Sequence, residues 1–224
     1  MSVVEHEFEP QHGLPQALPA GERMLWQGAP DARRLALRVF HLRALALYFA
    51  ALMAWRGSAA WLDGAGWIGT GKAVLLAAAL AAVAIGLLGG IAWLVARTTV
   101  YTLTDRRVVM RIGVVLSVTF NLPLRQLDAV RLRCQADGSG DVALGLASGQ
   151  RIAYLHLWPH ARPWRFTHPE PMLRALPDAS AVATQLSDAL ARAAAAETGA
   201  PLRAVTNAPR RAEPSHAAPW PRAA

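Results

Sequence analysis

The uncharged apolar segment at residues 73–96 constrains the fold of this chain more than any other feature. It reads AVLLAAALAAVAIGLLGGIAWLVA and contains no charged side chain. As a helix it would measure about 36 Å, which is enough to cross a hydrocarbon core of about 30 Å. A buried helix of a soluble protein is the alternative, but such helices rarely stay uncharged over this length. The segment therefore predicts a transmembrane helix, and the rest of the chain is interpreted as tethered to a membrane.

A second apolar run precedes the first and reaches spanning length when it is taken from residue 42 to residue 62. Its core at residues 44–55 is too short to span alone, and Arg56 interrupts it. Because Arg56 lies near one end, its long side chain can extend to the interface. A second span is predicted, with a re-entrant or interfacial helix as the alternative. The glycine-rich residues 63–72 are predicted to form the turn of this transmembrane hairpin.

The charged residues around the two runs predict the orientation of the hairpin. Four arginines fall within residues 33–43 and four follow the second run within residues 97–111, whereas the segment between holds only Arg56 and Lys72. The positive-inside rule then places both termini in the cytoplasm of a multi-pass inner-membrane protein. The same arginines explain most of the net charge of +8, so a nucleic-acid partner is not predicted. Tryptophans near the boundaries fit an aromatic belt, with core packing as the alternative: Trp55, Trp61, Trp67 and Trp93.

The residues before the hairpin are predicted to contain an arm, a strand and a short helix. Residues 1–20 are acidic and interrupted by prolines, so an extended arm is expected and a secretory signal is not. Within residues 21–41, the alternation around Met24 and Trp26 predicts a short strand. The helix that follows is predicted to lie at the membrane interface, with its arginines reaching lipid headgroups.

After Arg97 the hydrophobic period changes to two, which predicts a cytoplasmic β domain over residues 97–196. Alternating runs begin near residues 114, 130, 142 and 152, and glycine or proline turns separate them. Such runs are typical of an antiparallel sandwich or small barrel. Asp178 or Ser180 is placed to cap a closing helix at residues 179–196. The remaining residues 197–224 are rich in proline, alanine and arginine and are predicted to be disordered.

The sequence contains no residue pattern typical of catalysis. Cys134 is the single cysteine, so an intrachain disulfide is excluded, as fits a reducing cytoplasmic side. His156 and His160 have a spacing that suits a metal on a helix, but Pro159 lies between them and their segment alternates like a strand. No metal site is therefore predicted, and a membrane enzyme is the least favoured class of function.

Residues 157–165, with the sequence LWPHARPWR, form the most unusual segment of the chain. Tryptophan and arginine are the residues most often found at interface hot spots, and prolines reduce the entropy lost on binding. A loop that packs back on its own sheet is an equally weighted alternative. The candidate partner-binding residues are Trp158, His160, Arg162, Trp164 and Arg165.

Residues 101–113, YTLTDRRVVMRIG, resemble the bacterial membrane-associated PH-like domain family. Its members show an aromatic-x-Leu-Thr-x-x-Arg motif after a membrane hairpin, and an upstream Gly-Glu-x-x-Leu-Trp-x-Gly-x-Pro segment that residues 21–30 match. The resemblance implies an α+β membrane protein, with a PH-like sandwich closed by the C-terminal helix. In this motif Thr104 and Asp105 favour a turn, and Gly113 permits a tight hairpin.

Four longer blocks, at residues 18–31, 101–115, 120–127 and 151–165, are similar to the photosynthetic complex assembly proteins of purple bacteria. This similarity implies a non-enzymatic chaperone that helps to assemble the reaction centre and its light-harvesting complex. Its partners would be a membrane subunit or a pigment-loaded intermediate. His41 could contact bacteriochlorophyll magnesium, although a lone boundary histidine is more often only polar, and no cofactor is predicted.

Two functional hypotheses remain, and each has its own candidate residues. An assembly factor would pack its spans against a client through small residues, for which Gly86, Gly89 and Gly90 are the candidates. The alternative is a tethered PH-like module that binds anionic lipid or regulates another membrane complex. Its headgroup site would consist of Arg97, Arg106, Arg107 and Arg111. Self-association is compatible with both hypotheses.

Overall fold

The structure is a computed structural model that describes residues 13–14, 16–114, 117–147 and 152–198, with side chains as far as residue 195. Most of the predicted arm and nearly all of the predicted tail lie outside the described residues. The elements are β1 (Met24–Gly28), α1 (Ala32–Arg38), α2 (Leu42–Leu62), α3 (Gly66–Thr98), β2 (Val100–Thr104), β3 (Arg107–Ile112), β4 (Val118–Pro123), β5 (Leu127–Cys134), β6 (Gly140–Leu146), α4 (Tyr154–Leu157), β7 (Met172–Leu176) and α5 (Ala179–Thr198).

Helices α2 and α3 form an antiparallel hairpin whose turn comprises only residues 63–65. The prediction of a turn over residues 63–72 is therefore wrong beyond Ala65, because the glycines of this stretch are absorbed into the first turns of α3. Small residues set the helix contact: a Cβ atom on Gly57 would lie 3.1 Å from Val74, and one on Gly89 would lie 3.7 Å from Leu42. These two contacts fix the antiparallel register.

The two helices differ in length, and the difference positions the rest of the molecule. Helix α2 has 21 residues and α3 has 33, which correspond to about 32 Å and about 50 Å. Beyond Gly89, α3 runs past the start of α2 and packs on α1, where Leu35 is buried against Val95 and Ala96. One side of the last turns of the predicted span at residues 73–96 is thus covered by protein, whereas Trp93 and Leu94 remain exposed.

Both helices are long and apolar enough to cross a membrane, and their surfaces are exposed. In the most apolar stretch of each, none of α2 and 11% of α3 is buried. Leu76, Leu80 and Leu87 all point outward and are more than half exposed. This exposure does not fit the alternative of a core helix in a soluble protein, where an apolar stretch is mostly covered.

The β domain consists of two antiparallel sheets, in the orders β1-β2-β3-β4 and β5-β6-β7. Strand β1 precedes the hairpin and pairs with β2, which follows it. The hairpin is therefore inserted between two neighbouring strands of one sheet. Apolar residues from both sheets, among them Tyr101 and Leu144, pack with Leu186 of α5. As predicted, the backbone N–H of Ala181 donates to Asp178 at 3.1 Å, which caps α5.

Two elements between β6 and α5 differ from the prediction. The strand predicted near residues 152–158 is wrong, because this stretch contains the short helix α4, with Leu157 fully buried. Strand β7 was not predicted. All five of its residues are buried, so it lacks the alternation by which a half-buried strand is recognised.

Helix α1 uses its arginines to bind the β5–β6 turn. Arg38 contacts Asp137 at 3.2 Å and donates to Ser139 at 2.7 Å, and Arg34 lies 3.5 Å from Asp137. The Ser139 hydroxyl, followed by Arg38, lowers the pKa of Asp137 to about 2. These two arginines were expected to reach lipid headgroups, and the structure instead shows them holding α1 to the domain.

Candidate interaction site at the base of the hairpin

The segment between β6 and β7 covers the base of the hairpin, where α3 ends at Thr98 and α2 begins at Leu42. We call residues 154–166 the aromatic loop. Its buried residues Leu157 and Ala161 pack against Ile112 at the end of β3. The loop is thereby fixed to the domain at the point where the chain leaves and enters the hairpin.

His160 fastens the aromatic loop from inside the domain. It is completely buried, with Nδ1 2.6 Å from the Tyr101 hydroxyl and Nε2 3.2 Å from the Thr99 hydroxyl. The Tyr101 oxygen accepts the backbone N–H of Arg174 at 3.2 Å, so its own proton is available to His160 Nδ1. Burial, followed by the charge of Arg174, lowers the pKa of His160 to about 3. The imidazole is therefore neutral at physiological pH.

This position corrects the interpretation of His160. His160 was a candidate partner-binding residue, but a fully buried side chain cannot contact a partner directly. His156 lies exposed on α4. Within the described parts of the chain, no group of three or more His, Cys, Asp or Glu side chains is placed to hold a metal ion.

The aromatic loop also carries a cluster of exposed apolar side chains. Leu155, Trp158, Trp164 and Phe166 are between 54% and 87% exposed, and Trp164 is the most exposed of them. Trp158 makes an edge contact with Phe40, just before α2, at 5.9 Å between ring centres. The two alternatives for this segment were a partner-binding loop and a loop packed on its own domain, and each describes part of it. One set of residues packs inward, and the tryptophans face outward.

The two arginines of the loop differ in their surroundings. Arg162 donates to the largely buried Glu170 at 2.6 Å, and Arg131 approaches the same carboxylate at 3.3 Å. Arg165 lies 3.9 Å from Glu170, and its side chain remains half exposed. Of the five predicted partner-binding residues, Trp158, Trp164 and Arg165 are the ones most open to a partner.

A cleft of about 650 Å³ lies between the aromatic loop, the end of α1 and the second sheet. We call it the aromatic cleft. His41 lines it in a left-handed backbone conformation (φ 53°), directly before α2. The other lining residues that matter below are Arg38, Arg133, Asp141, Trp158, Trp164, Phe166 and Arg174.

The four arginines proposed as a headgroup site do not lie together. Arg97 caps the Trp93 ring at 5.2 Å near the end of α3, and Arg111 pairs in register with Val100 at the start of β2. Arg106 and Arg107 lie at the other end of the β2–β3 hairpin, about 13 Å away along the strands. The prediction of one site formed by all four is therefore wrong.

Arg107 has a structural partner that the sequence analysis missed. Its guanidinium binds Glu22 through two hydrogen bonds of 2.7 and 2.8 Å, and the Thr104 hydroxyl donates to the same carboxylate at 2.7 Å. Although burial raises the pKa of Glu22, these hydrogen bonds from Arg107 and Thr104 lower it overall. Both family motifs contained this pair. The segment at residues 21–30 supplies the acid, and the segment at residues 101–113 supplies its partners.

The remaining predicted residues lie on the outer faces of the molecule. A Cβ atom added at Gly86 or Gly90 would have no atom within 4 Å, so these two glycines form an open surface one turn apart on α3. Gly89 instead faces Leu42 of α2. Cys134 ends strand β5, as the alternating pattern predicted, and its thiol is exposed.

Comparison with known proteins identifies the family. The model of the bacterial PH domain family matches residues 37–190. An uncharacterised 23.7 kDa protein in the puhA 5′ region of Rhodobacter capsulatus is 40% identical over 190 residues, which cover 84% of this chain and 89% of the relative. No solved structure matches significantly. These findings agree with the resemblance to assembly proteins of the PuhB type. The chain belongs to the bacterial PH domain family.

Proposed function

We propose that this protein is a non-enzymatic assembly factor for the photosynthetic reaction centre and its light-harvesting complex. One observation carries the proposal: an exposed aromatic loop is fixed rigidly to the base of an exposed apolar hairpin. A membrane client could contact both surfaces at once, its spans against the hairpin and its cytoplasmic part against the loop. The relative in the puhA 5′ region supports a link to photosynthesis genes.

In this proposal α2 and the adjacent part of α3 cross the inner membrane, and both termini lie in the cytoplasm. The length of α2, about 32 Å, matches a hydrocarbon core of about 30 Å. Arg33, Arg43 and Arg97 flank the base of the hairpin, where the positive-inside rule expects cytoplasmic charge. The β domain and the aromatic loop then lie at the cytoplasmic surface.

The client would be held through two surfaces of different chemistry. Within the bilayer, the open face around Gly86 and Gly90 allows another helix to approach closely. Outside it, Trp158 and Trp164 provide large apolar contacts, and Arg165 provides a charge beside them. Exposed tryptophan in a loop held by its buried neighbours is the arrangement expected of an interaction hot spot.

Deletion of the gene in its photosynthetic host tests the function. We expect lower reaction-centre absorbance in membranes, with unchanged transcripts for the reaction-centre subunits. Complementation with the wild-type gene should restore the complex, whereas Trp164→Ala should restore less than half of it. Trp67→Ala is the matched control, because Trp67 is similarly exposed but lies at the opposite end of the hairpin. An unchanged complex yield in the deletion strain would count decisively against the proposal.

A further inference from the structure

Arg174 is a buried cation without a carboxylate partner. Only 7% of the residue is exposed, and its Nη2 donates to the carbonyl of Ala161 at 2.7 Å. Its Nε has no acceptor, and no ion pair involving Arg174 is found in the described parts of the chain. The nearest acid, Asp141, uses Oδ1 to accept the backbone N–H of Ala175 at 2.9 Å. A buried guanidinium in this state is costly unless an anion approaches it.

The aromatic cleft, which Arg174 lines, has an excess of positive charge. The side chains of Arg38 and Arg133 also line it, and Asp141 is the only acid among its described lining residues. Arg38 is already paired with Asp137, whereas Arg133 is exposed at the mouth. The cleft thus has a buried positive charge on Arg174 and an accessible one on Arg133. This arrangement suits an anion that enters from solvent or from a membrane surface.

The walls of the cleft suit a ligand that carries an apolar part beside the anion. Trp158, Trp164 and Phe166 form one side, and each is more than half exposed. The volume of about 650 Å³ lies within the range of small-ligand sites and exceeds what a lone inorganic anion requires. The chemistry therefore points to an amphiphilic anion.

The cleft opens where α2 begins. His41 directly precedes Leu42, and Phe40 contacts the Trp158 ring. If the hairpin spans the membrane, this opening lies at the level of the lipid headgroups, where tryptophan and arginine side chains are favoured. The placement of the opening at the headgroups rests on the membrane anchoring that is part of the proposed function. It does not depend on which client the protein binds.

We propose that the aromatic cleft binds the headgroup of an anionic phospholipid, with the phosphate on the Arg174 guanidinium and Arg133 at the mouth. Guanidinium and phosphate form strong charge-assisted hydrogen bonds, and a phosphate in the cleft would supply the negative charge that the buried Arg174 side chain lacks in an ion pair. The aromatic side chains cover the glycerol and the first carbons of the acyl chains. Such a lipid would hold the aromatic loop at the membrane surface, oriented toward a client.

The test measures lipid binding by the full-length protein in a neutral maltoside detergent. Isothermal titration with dihexanoyl phosphatidylglycerol should give saturable binding, whereas dihexanoyl phosphatidylcholine should bind at least tenfold more weakly. Inorganic phosphate, titrated separately, distinguishes a headgroup site from a site for a free anion. A synthetic acidic peptide distinguishes lipid from a protein ligand.

Variants connect the binding to the cleft. Arg174→Gln should weaken phosphatidylglycerol binding at least tenfold and Arg133→Gln about threefold. Arg125→Gln should leave it unchanged, because Arg125 is exposed on a separate cavity beside Arg106. Near-ultraviolet circular dichroism checks the fold of each variant. If Arg174→Gln does not fold, Arg133→Gln and Trp158→Ala decide the question.

The proposal would be overturned by the absence of saturable lipid binding or by equal affinity in all variants. It would also be overturned if inorganic phosphate or the acidic peptide bound more tightly than the lipid. This experiment contains no client and measures no complex yield. A negative lipid-binding result would therefore not decide the assembly function, which the deletion strain tests. A negative result in the deletion strain would likewise not decide the lipid site.

Discussion

Two buried polar side chains, His160 and Glu22, join segments that are far apart in the sequence. His160 links the aromatic loop to Thr99 and Tyr101 at the end of the hairpin. Glu22 links the residues before the hairpin to the β2–β3 turn. Each is fully satisfied by its partners, and a satisfied buried polar group specifies one arrangement of the segments it connects.

At the scale of single residues, the burial of His160 predicts that the stability of the protein depends on pH. Its pKa is lowered to about 3 in the folded protein, so the unfolded state binds more protons below about pH 6.5. The stability contribution is complete above that pH and is lost as the pH falls toward 3. Between pH 7 and pH 5 we expect a loss of about 2 kcal/mol, measured by denaturant unfolding in neutral detergent.

His160→Gln should remove most of this loss, because glutamine retains an acceptor and a donor but does not titrate in this range. His156→Gln, at an exposed position, should retain it. Identical pH profiles for wild type and His160→Gln would contradict the assignment of the loss to this buried histidine.

The Glu22–Arg107 pair predicts a stability effect that separates a structural role from a lipid-binding one. The Glu22 side chain is 2% exposed, so Arg107→Gln leaves a carboxylate buried without its charge partner. We expect a destabilisation of about 3 kcal/mol, measured by denaturant unfolding. Arg106→Gln is the control, since Arg106 is exposed and its side chain donates one long hydrogen bond of 3.5 Å to the Gly21 carbonyl; its change should stay below about 0.5 kcal/mol. Equal, small effects for both variants would restore Arg107 as a candidate surface residue.

At the scale of elements, the sequence predicted the segments whose hydrophobic period is unambiguous. The two apolar helices and α5 occur near where the pattern placed them, and the turn between β2 and β3 lies where the family resemblance implied it. Strand β7 was missed because all five of its residues are buried, so it lacks the alternation of a half-buried strand. Helix α4 was mistaken for a strand because four residues cannot display a helical period.

The candidate site was predictable in composition but not in geometry. The density of tryptophan and arginine in residues 157–165 identified the aromatic loop. Which side chains face inward depends on contacts with Tyr101 and Ile112, about 50 residues earlier in the chain. That Arg174 lines the cleft could be seen only in the structure, since no local feature of Met172–Leu176 predicts it.

For the whole molecule, the insertion of the hairpin between β1 and β2 has a mechanical consequence. Two connections join the hairpin to the domain, one through α1 and one directly from α3 into β2. Burial of Leu35 against Val95 and Ala96 couples the two connections. The hairpin and the first sheet are therefore joined through a short, packed path.

Cys134 allows the proposed topology to be tested in the intact protein. It is the single cysteine of the chain and its thiol is exposed on the β domain. If the domain is cytoplasmic, a membrane-impermeant maleimide should label Cys134 in inverted vesicles and not in spheroplasts. A Cys134→Ser/Asp63→Cys variant should show the opposite pattern, because Asp63 ends α2 in the turn at the far end of the hairpin. Labelling of Cys134 from the spheroplast surface would reverse the topology and place the aromatic cleft on the wrong side for a cytoplasmic client.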